Sequence, residues 1–266
     1  MTYNDKRRFS NMAEDYDAMV CYLMPKYDDL QDEMIRISGL ESAEKPIVVD
    51  LGGGSGRFLE KLLSLNPNAM AIWVDSSEKF LSVAKKRLAS FGDRVTFISS
   101  PLEERWDQKI EHPVDAVFSM SAIHHLESIK KRDLYKRCYD LLRPMGWFLN
   151  TDEMSTLYEE SYITSMLYWS NYVKIMKVNI PEHLHELYED WQKHFAKWKQ
   201  RNIDEVHLPK KKGDDIHESF IEQMKWLKEI GYANVDLFMK FHLWSMIGGQ
   251  KEAYREKIIE IPDAAV

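Results

Sequence analysis

The chain predicts an α/β fold: a doubly wound, mostly parallel, seven-stranded sheet with an antiparallel edge hairpin and a helical lid. Three observations lead there. Short apolar runs alternate regularly with helical patterns through the first 150 residues, and alternation of this kind builds βαβ units with helices on both sheet faces. Residues 155–202 keep helical spacing with almost no strand signal. Beyond Gly231, two strand-like runs follow each other with no helix between them, as an antiparallel hairpin at a sheet edge requires.

In chain order, residues 9–38 carry apolar residues at helical spacing, from Phe9 and Met12 through Tyr16 to Met34 and Ile37. Pro25 should split them into two helices. Ile47-Val48-Val49 reads as a buried parallel strand ending in Asp50 and a glycine cluster. A helix with Phe58, Leu59, Leu62 and Leu63 stops at Asn66-Pro67-Asn68. A second strand, 70–74, is closed by Asp75, and Ser76-Ser77-Glu78 caps a helix running to about Ser90. Strands follow at 95–98 and 114–119. A helix over 130–142 ends at Pro144-Met145-Gly146, and a fifth strand covers 147–150. After the helical stretch come a helix over 216–230, stopped by Gly231, and strands at 235–241 and 242–249.

Composition excludes several classes. The 266 residues are 44% hydrophobic and 30% charged, so the chain is neither disordered nor fibrous. No apolar run reaches the roughly 18 residues of a membrane span, and no membrane partner is expected. A net charge of -7 argues against a nucleic-acid partner. Cys21 and Cys138 share no metal or redox spacing and read as reduced thiols. The polar start, Met1 to Arg8, lacks the apolar core of a signal peptide, and together these point to a cytoplasmic protein.

The strongest local signal is Asp50-Leu51-Gly52-Gly53-Gly54-Ser55-Gly56, between a strand and a helix. Glycines let the backbone turn tightly and approach a ligand. A phosphate-binding P-loop needs Gly-Lys-Ser/Thr at its end, but Arg57-Phe58 follow Gly56. The dinucleotide spacing Gly-x-Gly-x-x-Gly also fails, because the third glycine falls on Arg57 or Leu59. What remains is Asp-x-Gly-x-Gly-x-Gly, followed by Asp75 at the end of the next strand. This resembles motif I of the class I S-adenosylmethionine-dependent methyltransferases, whose fold is Rossmann-like.

The resemblance implies S-adenosyl-L-methionine as cofactor, S-adenosyl-L-homocysteine as product, and no metal. It implies that Gly52, Gly53, Gly54 and Gly56 cradle the methionine part, that Asp50 orders the loop, and that Asp75, with Ser76 beside it, holds the ribose. Leu102 would cover the adenine, with Ser100 where the family carries an acid. Ser119 and Met120 lead into Ala122-Ile123-His124-His125-Leu126, similar to the "His-His-Leu" segment beside the cofactor's methionine in small-molecule methyltransferases. Leu-Leu-Arg-Pro-Met-Gly at 141–146 resembles the family's "L-x-P-G-G" turn, with Met145 in place of the first glycine.

Methyl transfer from a sulfonium is an in-line displacement, so the protein chiefly aligns reactants and excludes water. A base is needed only if the acceptor must lose a proton. His124, Glu153 and Tyr16 are the catalytic candidates; Asp152 ends the same strand as Glu153. His125, Tyr168, Trp169 and Tyr172 are the substrate-binding candidates, since aromatic walls suit an apolar acceptor. Adjacent residues on a helix face different ways, so at most one of His124 and His125 should enter the pocket. His183 and His185 sit on different helix faces, and Lys210-Lys211-Lys212 reads as a solvated turn.

The layout divides into an N-terminal helical lid (1–40), a cofactor-binding core (41–154), a helical insert (155–204), a C-terminal helix and edge strands (205–251) and a tail (252–266). The insert is a substrate lid or a homodimer interface; residues 155–200 hold nine aromatic side chains. The layout is also similar to the carboxy-S-adenosylmethionine synthases, which place an arginine in the late insert; the lysines at 210–212 fall near that region. The expected function is methyl transfer to a small-molecule acceptor. The alternatives are synthase-like use of the same cofactor and an inactive cofactor-binding subunit.

Overall fold

The computed structural model describes residues 13–210 and 214–253. Expectations for residues 1–12, Lys211 and Lys212, and most of the tail lie outside these.

Two helices open the described chain, α1 (Ala13–Leu23) and α2 (Tyr27–Ser38), on either side of Pro25. Next come β1 (Ile47–Leu51), α3 (Arg57–Leu65), β2 (Met70–Asp75), α4 (Glu78–Arg87), β3 (Val95–Ser99), β4 (Val114–Met120), α5 (Ser128–Leu141) and β5 (Leu142–Glu153). The insert forms α6 (Glu159–Met176) and α7 (His185–Lys199), then α8 (Phe220–Ile230), β6 (Tyr232–Phe241) and β7 (Trp244–Lys251) complete the fold. Among the described residues, no helix is long and apolar enough to cross a membrane.

The strands form one seven-stranded sheet in the order β3-β2-β1-β4-β5-β7-β6. β1 to β5 are parallel, while β7 runs antiparallel to β5 and β6. Strand order reverses at β1, which pairs with β2 on one side and β4 on the other. That crevice, at the carboxyl ends of the strands, is where open α/β sheets bind ligands.

Side chains alternate across the sheet, as strand geometry demands. Val48, Trp73, Ala116, Phe118 and Leu149 join one core with α1, α2, α3, α6 and α7. Val49, Leu51, Val74, Val117, Phe148 and Ile247 join the other with α5 and α8. The N-terminal helices and the insert therefore share the sheet's own core. Trp169 on α6 donates from Nε1 to the carbonyl of Leu23 at 2.8 Å, tying insert to α1.

Among the boundaries that differ from expectation, three have a clear physical reason. The helix expected from 216 starts at Phe220, because Ser219 caps it by accepting from the Glu222 N–H at 3.1 Å; residues 214–218 stay outside it. The second hairpin strand starts at Trp244 rather than 242, since His242 (φ 52) and Leu243 form the turn. The fifth strand lengthens to Leu142–Glu153, taking in the Pro144-Met145-Gly146 turn through a register shift. Met145 there holds a left-handed φ of 66, the conformation that favours glycine.

Candidate active site

The glycine turn is built by β1 overrunning its last pair. Gly52 and Gly53 donate their N–H groups to the carbonyl of Val74 at 2.8 and 3.2 Å, continuing the pairing with β2. The turn is anchored from below by Trp73, whose Nε1 donates to the carbonyl of Gly54 at 3.0 Å. Gly52 has a φ of 69, and a Cβ built on it would overlap the Cβ of Ala122. A Cβ on Gly54, by contrast, would meet nothing nearer than the Gly52 oxygen at 3.8 Å, so the turn opens there into free space.

That space is a cavity of about 360 Å³. On the turn's side it is lined by Asp50, Gly52, Gly53, Gly54, Asp75, Ser76 and Leu102, with Glu103 at the third-strand loop. Asp75 ends β2 and accepts from the Gly54 N–H at 3.0 Å and the Ser77 N–H at 2.8 Å, and the Ser76 backbone bonds the same carboxylate. A carboxylate offers about four acceptor positions, so Asp75 keeps capacity for a hydroxyl. Burial holds the Asp75 carboxyl above its usual range. Burial, with Asp75 nearby, pushes Asp50 up to about 7.

Asp17 on α1 fastens this wall. It receives Ser55 Oγ at 2.5 Å and Arg57 Nε at 2.9 Å, and pairs with Arg87 of α4. Tyr16, its neighbour, lines the cavity and packs edge-on against Phe80 at 6.2 Å. Burial and the Glu153 charge raise its phenol well above the usual range, so it stays protonated.

The opposite wall is aromatic: Trp169 of α6, Trp191, Phe195 and Trp198 of α7, and Trp244 of β7. Trp169 meets Phe195, Trp198 and Trp244 edge-on at 4.6 to 5.0 Å, and Phe195 stacks between Trp191 and Trp198. Lys197 and Arg201 lie on the same side.

Between the walls lie the polar ends of β4 and β5. Met120, His124, His125 and Glu153 all line the cavity. Both histidines enter it, against the expectation of one. The segment Ile123–His125 is a single tight turn, and a different carboxylate captures each ring. Asp152 takes His124 Nδ1 at 2.6 Å and its N–H at 2.9 Å, while Asp215 takes His125 Nδ1 at 3.0 Å. The two rings stand 4.0 Å apart. Burial alone would lower the His124 pKa; the Asp152 and Glu153 charges and the Asp152 bond outweigh it and raise it to about 9. Asp152 is correspondingly lowered by its histidine against the effect of burial. Next to them, His217 bonds Tyr162 Oη through Nδ1 at 2.5 Å.

Five residues singled out from the sequence lie elsewhere. Gly56 caps α3 with a φ of 81 and packs against Leu88 and Ala84 of the α4 segment instead of lining the cavity. Ser119 is fully buried in β4, where its Oγ donates to the Leu51 carbonyl at 2.9 Å. Tyr168 stacks on His242 at 3.6 Å, and Tyr172 follows it one turn later; both lie off the buried stripe of α6 that carries Trp169. Ser100 is buried with its Oγ on the Pro101 carbonyl at 3.3 Å.

Sequence reasoning missed Asp17, Trp191, Phe195, Trp198, Arg201, Asp215 and His217. The α7 aromatics were visible as an i, i+4, i+7 stripe. His217 falls inside the helix expected over 216–230 and Asp215 just before it, although Ser219 with Glu222 three residues on signals where the helix starts.

Residues 48–146 match the family model described as a methyltransferase domain. The solved structure of an S-adenosylmethionine-dependent methyltransferase from Methanococcus maripaludis superposes with a TM-score of 0.56 at 16% identity, over 95% of each chain. Residues 48–146 are therefore a methyltransferase domain, on the fold of that structure. A second solved structure, an O-methyltransferase from Nostoc punctiforme, shares the fold with a TM-score of 0.58 at 16% identity, over 91% of this chain and 60% of that one. Among curated proteins, this chain is 29% identical over 145 residues to the carboxy-S-adenosyl-L-methionine synthase of Nautilia profundicola, covering 54% of this chain and 60% of that protein. It is 29% identical over 149 residues to the malonyl-[acyl-carrier protein] O-methyltransferase of Priestia megaterium, covering 54% and 49%. The chain thus spans about half to three fifths of those two relatives.

Proposed function

We propose that this chain transfers the methyl group of S-adenosylmethionine to an apolar or aromatic small-molecule acceptor. One observation carries the reading: a single cavity joins the glycine turn to an aromatic wall, with titratable side chains where the two meet. The site fits the cofactor, because the open face of Gly54 leaves room for it and Asp75 retains acceptor capacity toward a ribose. When bound, the cofactor supplies a methyl carbon activated by its sulfonium.

The chain's own residues do the rest. Gly52, Gly53 and Gly54 present close backbone surface, their N–H groups being spent on Val74 and Asp75. Asp50, ionised, balances an ammonium group. Asp75 orients the ribose and Leu102 covers the adenine. The N-terminal helices and the insert exclude water. Trp169 and Trp198 hold the acceptor, and aromatic faces also attract a sulfonium. His124 and Glu153, both lining the cavity where the walls meet, are the groups placed to exchange a proton with the acceptor. Calorimetry with S-adenosylmethionine and S-adenosylhomocysteine tests the reading; binding of neither sinks it. Mass spectrometry of co-purified ligands then identifies the acceptor class.

Arg201 supports a second reading, synthase-like use of the cofactor. It lines the cavity from the late insert, where the resemblance calls for an arginine to hold an extra carboxylate. A bound cofactor carrying that carboxylate would decide for it.

A further inference from the structure

The junction between the two walls holds more acid and imidazole than methyl transfer needs. Asp152, Glu153 and Asp215 are all buried there, and Lys131 is the one buried lysine or arginine among the described residues. Three histidines crowd the same place, His124 lying 4.0 Å from His125 and 5.8 Å from His217, ring to ring.

We propose that His124, His125 and Asp215 form a binding site for a divalent first-row transition-metal ion. Their ligating atoms lie within 4.8 Å of one another, and together they make a two-histidine, one-carboxylate set, which suits such ions and leaves coordination positions open. His125 Nδ1 and Asp215 Oδ1 are 3.0 Å apart. Two ligands held at about 2.1 Å from one ion and at right angles to each other stand roughly 3.0 Å apart, so this pair already spans one edge of a coordination sphere. His124 is set up from behind: Asp152 holds Nδ1 and leaves Nε2 for the ion, the carboxylate–histidine arrangement that orients metal ligands.

A second observation is independent of that triad. His217 Nε2 and Glu153 Oε2 stand 3.1 Å apart but out of hydrogen-bond alignment, so both atoms are buried without a hydrogen-bond partner. Both residues are 92% buried, and each exposes only 8% of its surface. Buried polar atoms are rarely left so, and an ion or its bound water beside them would satisfy both. His124, His125 and Asp215 all line the cavity, so a small oxygen ligand can reach an ion held there.

The test uses the full chain, stripped with a chelator and titrated with Co²⁺ or Zn²⁺ alone. One ion per chain is expected, with visible Co²⁺ absorption bands. Affinity should fall more than about tenfold in His125→Ala and in Asp215→Asn, and about 10- to 100-fold in Asp152→Asn, which only positions His124. His183→Ala, in the insert, should change nothing. Absence of stoichiometric binding by the wild type overturns the site, as does binding indifferent to both His125→Ala and Asp215→Asn. Should those variants fail to fold, Cu²⁺ paramagnetic resonance of the wild type decides: coupling to two imidazole nitrogens supports the site and its absence overturns it. Cofactor calorimetry is a separate measurement, so loss of the metal site leaves the methyltransferase reading standing.

Discussion

The cavity's two walls are made of different material. The glycine-turn wall is backbone, shaped by positive φ at Gly52 and Gly54 and fixed by hydrogen bonds to Val74, Asp75 and Trp73. The facing wall is side chain, five large aromatics from three separate elements. Backbone walls tolerate almost no change of residue, because each position is set by a dihedral angle or a close approach. Side-chain walls tolerate repacking, which lets one cofactor site serve many acceptors.

Gly52→Ala should break the first wall outright. The new Cβ would need a left-handed backbone and would overlap Ala122. A left-handed non-glycine residue costs about 1–2 kcal/mol and overpacking about 1–3 kcal/mol, so urea unfolding should show a loss of roughly 2–5 kcal/mol. A variant as stable as the wild type would mean that the turn is not rigid.

Asp75→Ala tests the same wall through chemistry. Removing a hydrogen-bonding partner costs about 1–3 kcal/mol. Calorimetry should therefore show cofactor affinity reduced about 5- to 150-fold. Unchanged affinity would remove Asp75 from the ribose.

What was legible in the sequence follows the same division. The strand–helix alternation, the two acids and the glycine series are local signals, because backbone geometry dictates residue type at a spacing. Asp17 was not legible: its meaning lies in Arg57 and Arg87, which only folding brings to it. His125 depends likewise on Asp215, ninety positions away. Tyr168 and Trp169 looked equivalent as neighbours, yet helix rotation puts one against His242 and the other in the cavity.

The Asp50 carboxyl, raised to about 7, gives the backbone wall a pH signature. An ammonium group beside it favours the ionised form. Above pH 7 cofactor affinity should be level; below it, binding must expel a proton, and affinity should fall by up to about tenfold per pH unit. Folding has the opposite sign. Asp50's folded pKa lies above its ordinary 3.8, so its contribution to stability is present at low pH and is lost as pH rises through about 7. Asp50→Asn should abolish the slope in binding, and a slope that persists would belong to another group.

The smallest effect sharpens the comparison most. Trp198 stacks on Phe195 at 5.2 Å and touches Trp169 edge-on at 4.6 Å, while its own ring lines the cavity. Trp198→Phe keeps an aromatic face and, as a large-to-small change, should cost roughly 0.5–3 kcal/mol of stability. It makes none of the contacts that fix the glycine turn, so cofactor affinity should stay at the wild-type value while the acceptor's KM rises. Trp169 is the wrong residue for this purpose, because its Nε1 bond to Leu23 couples α6 to the helix that carries Asp17. If Trp198→Phe weakened the cofactor as much as Asp75→Ala does, the walls would be one mechanical unit, and acceptor choice would be inseparable from cofactor binding.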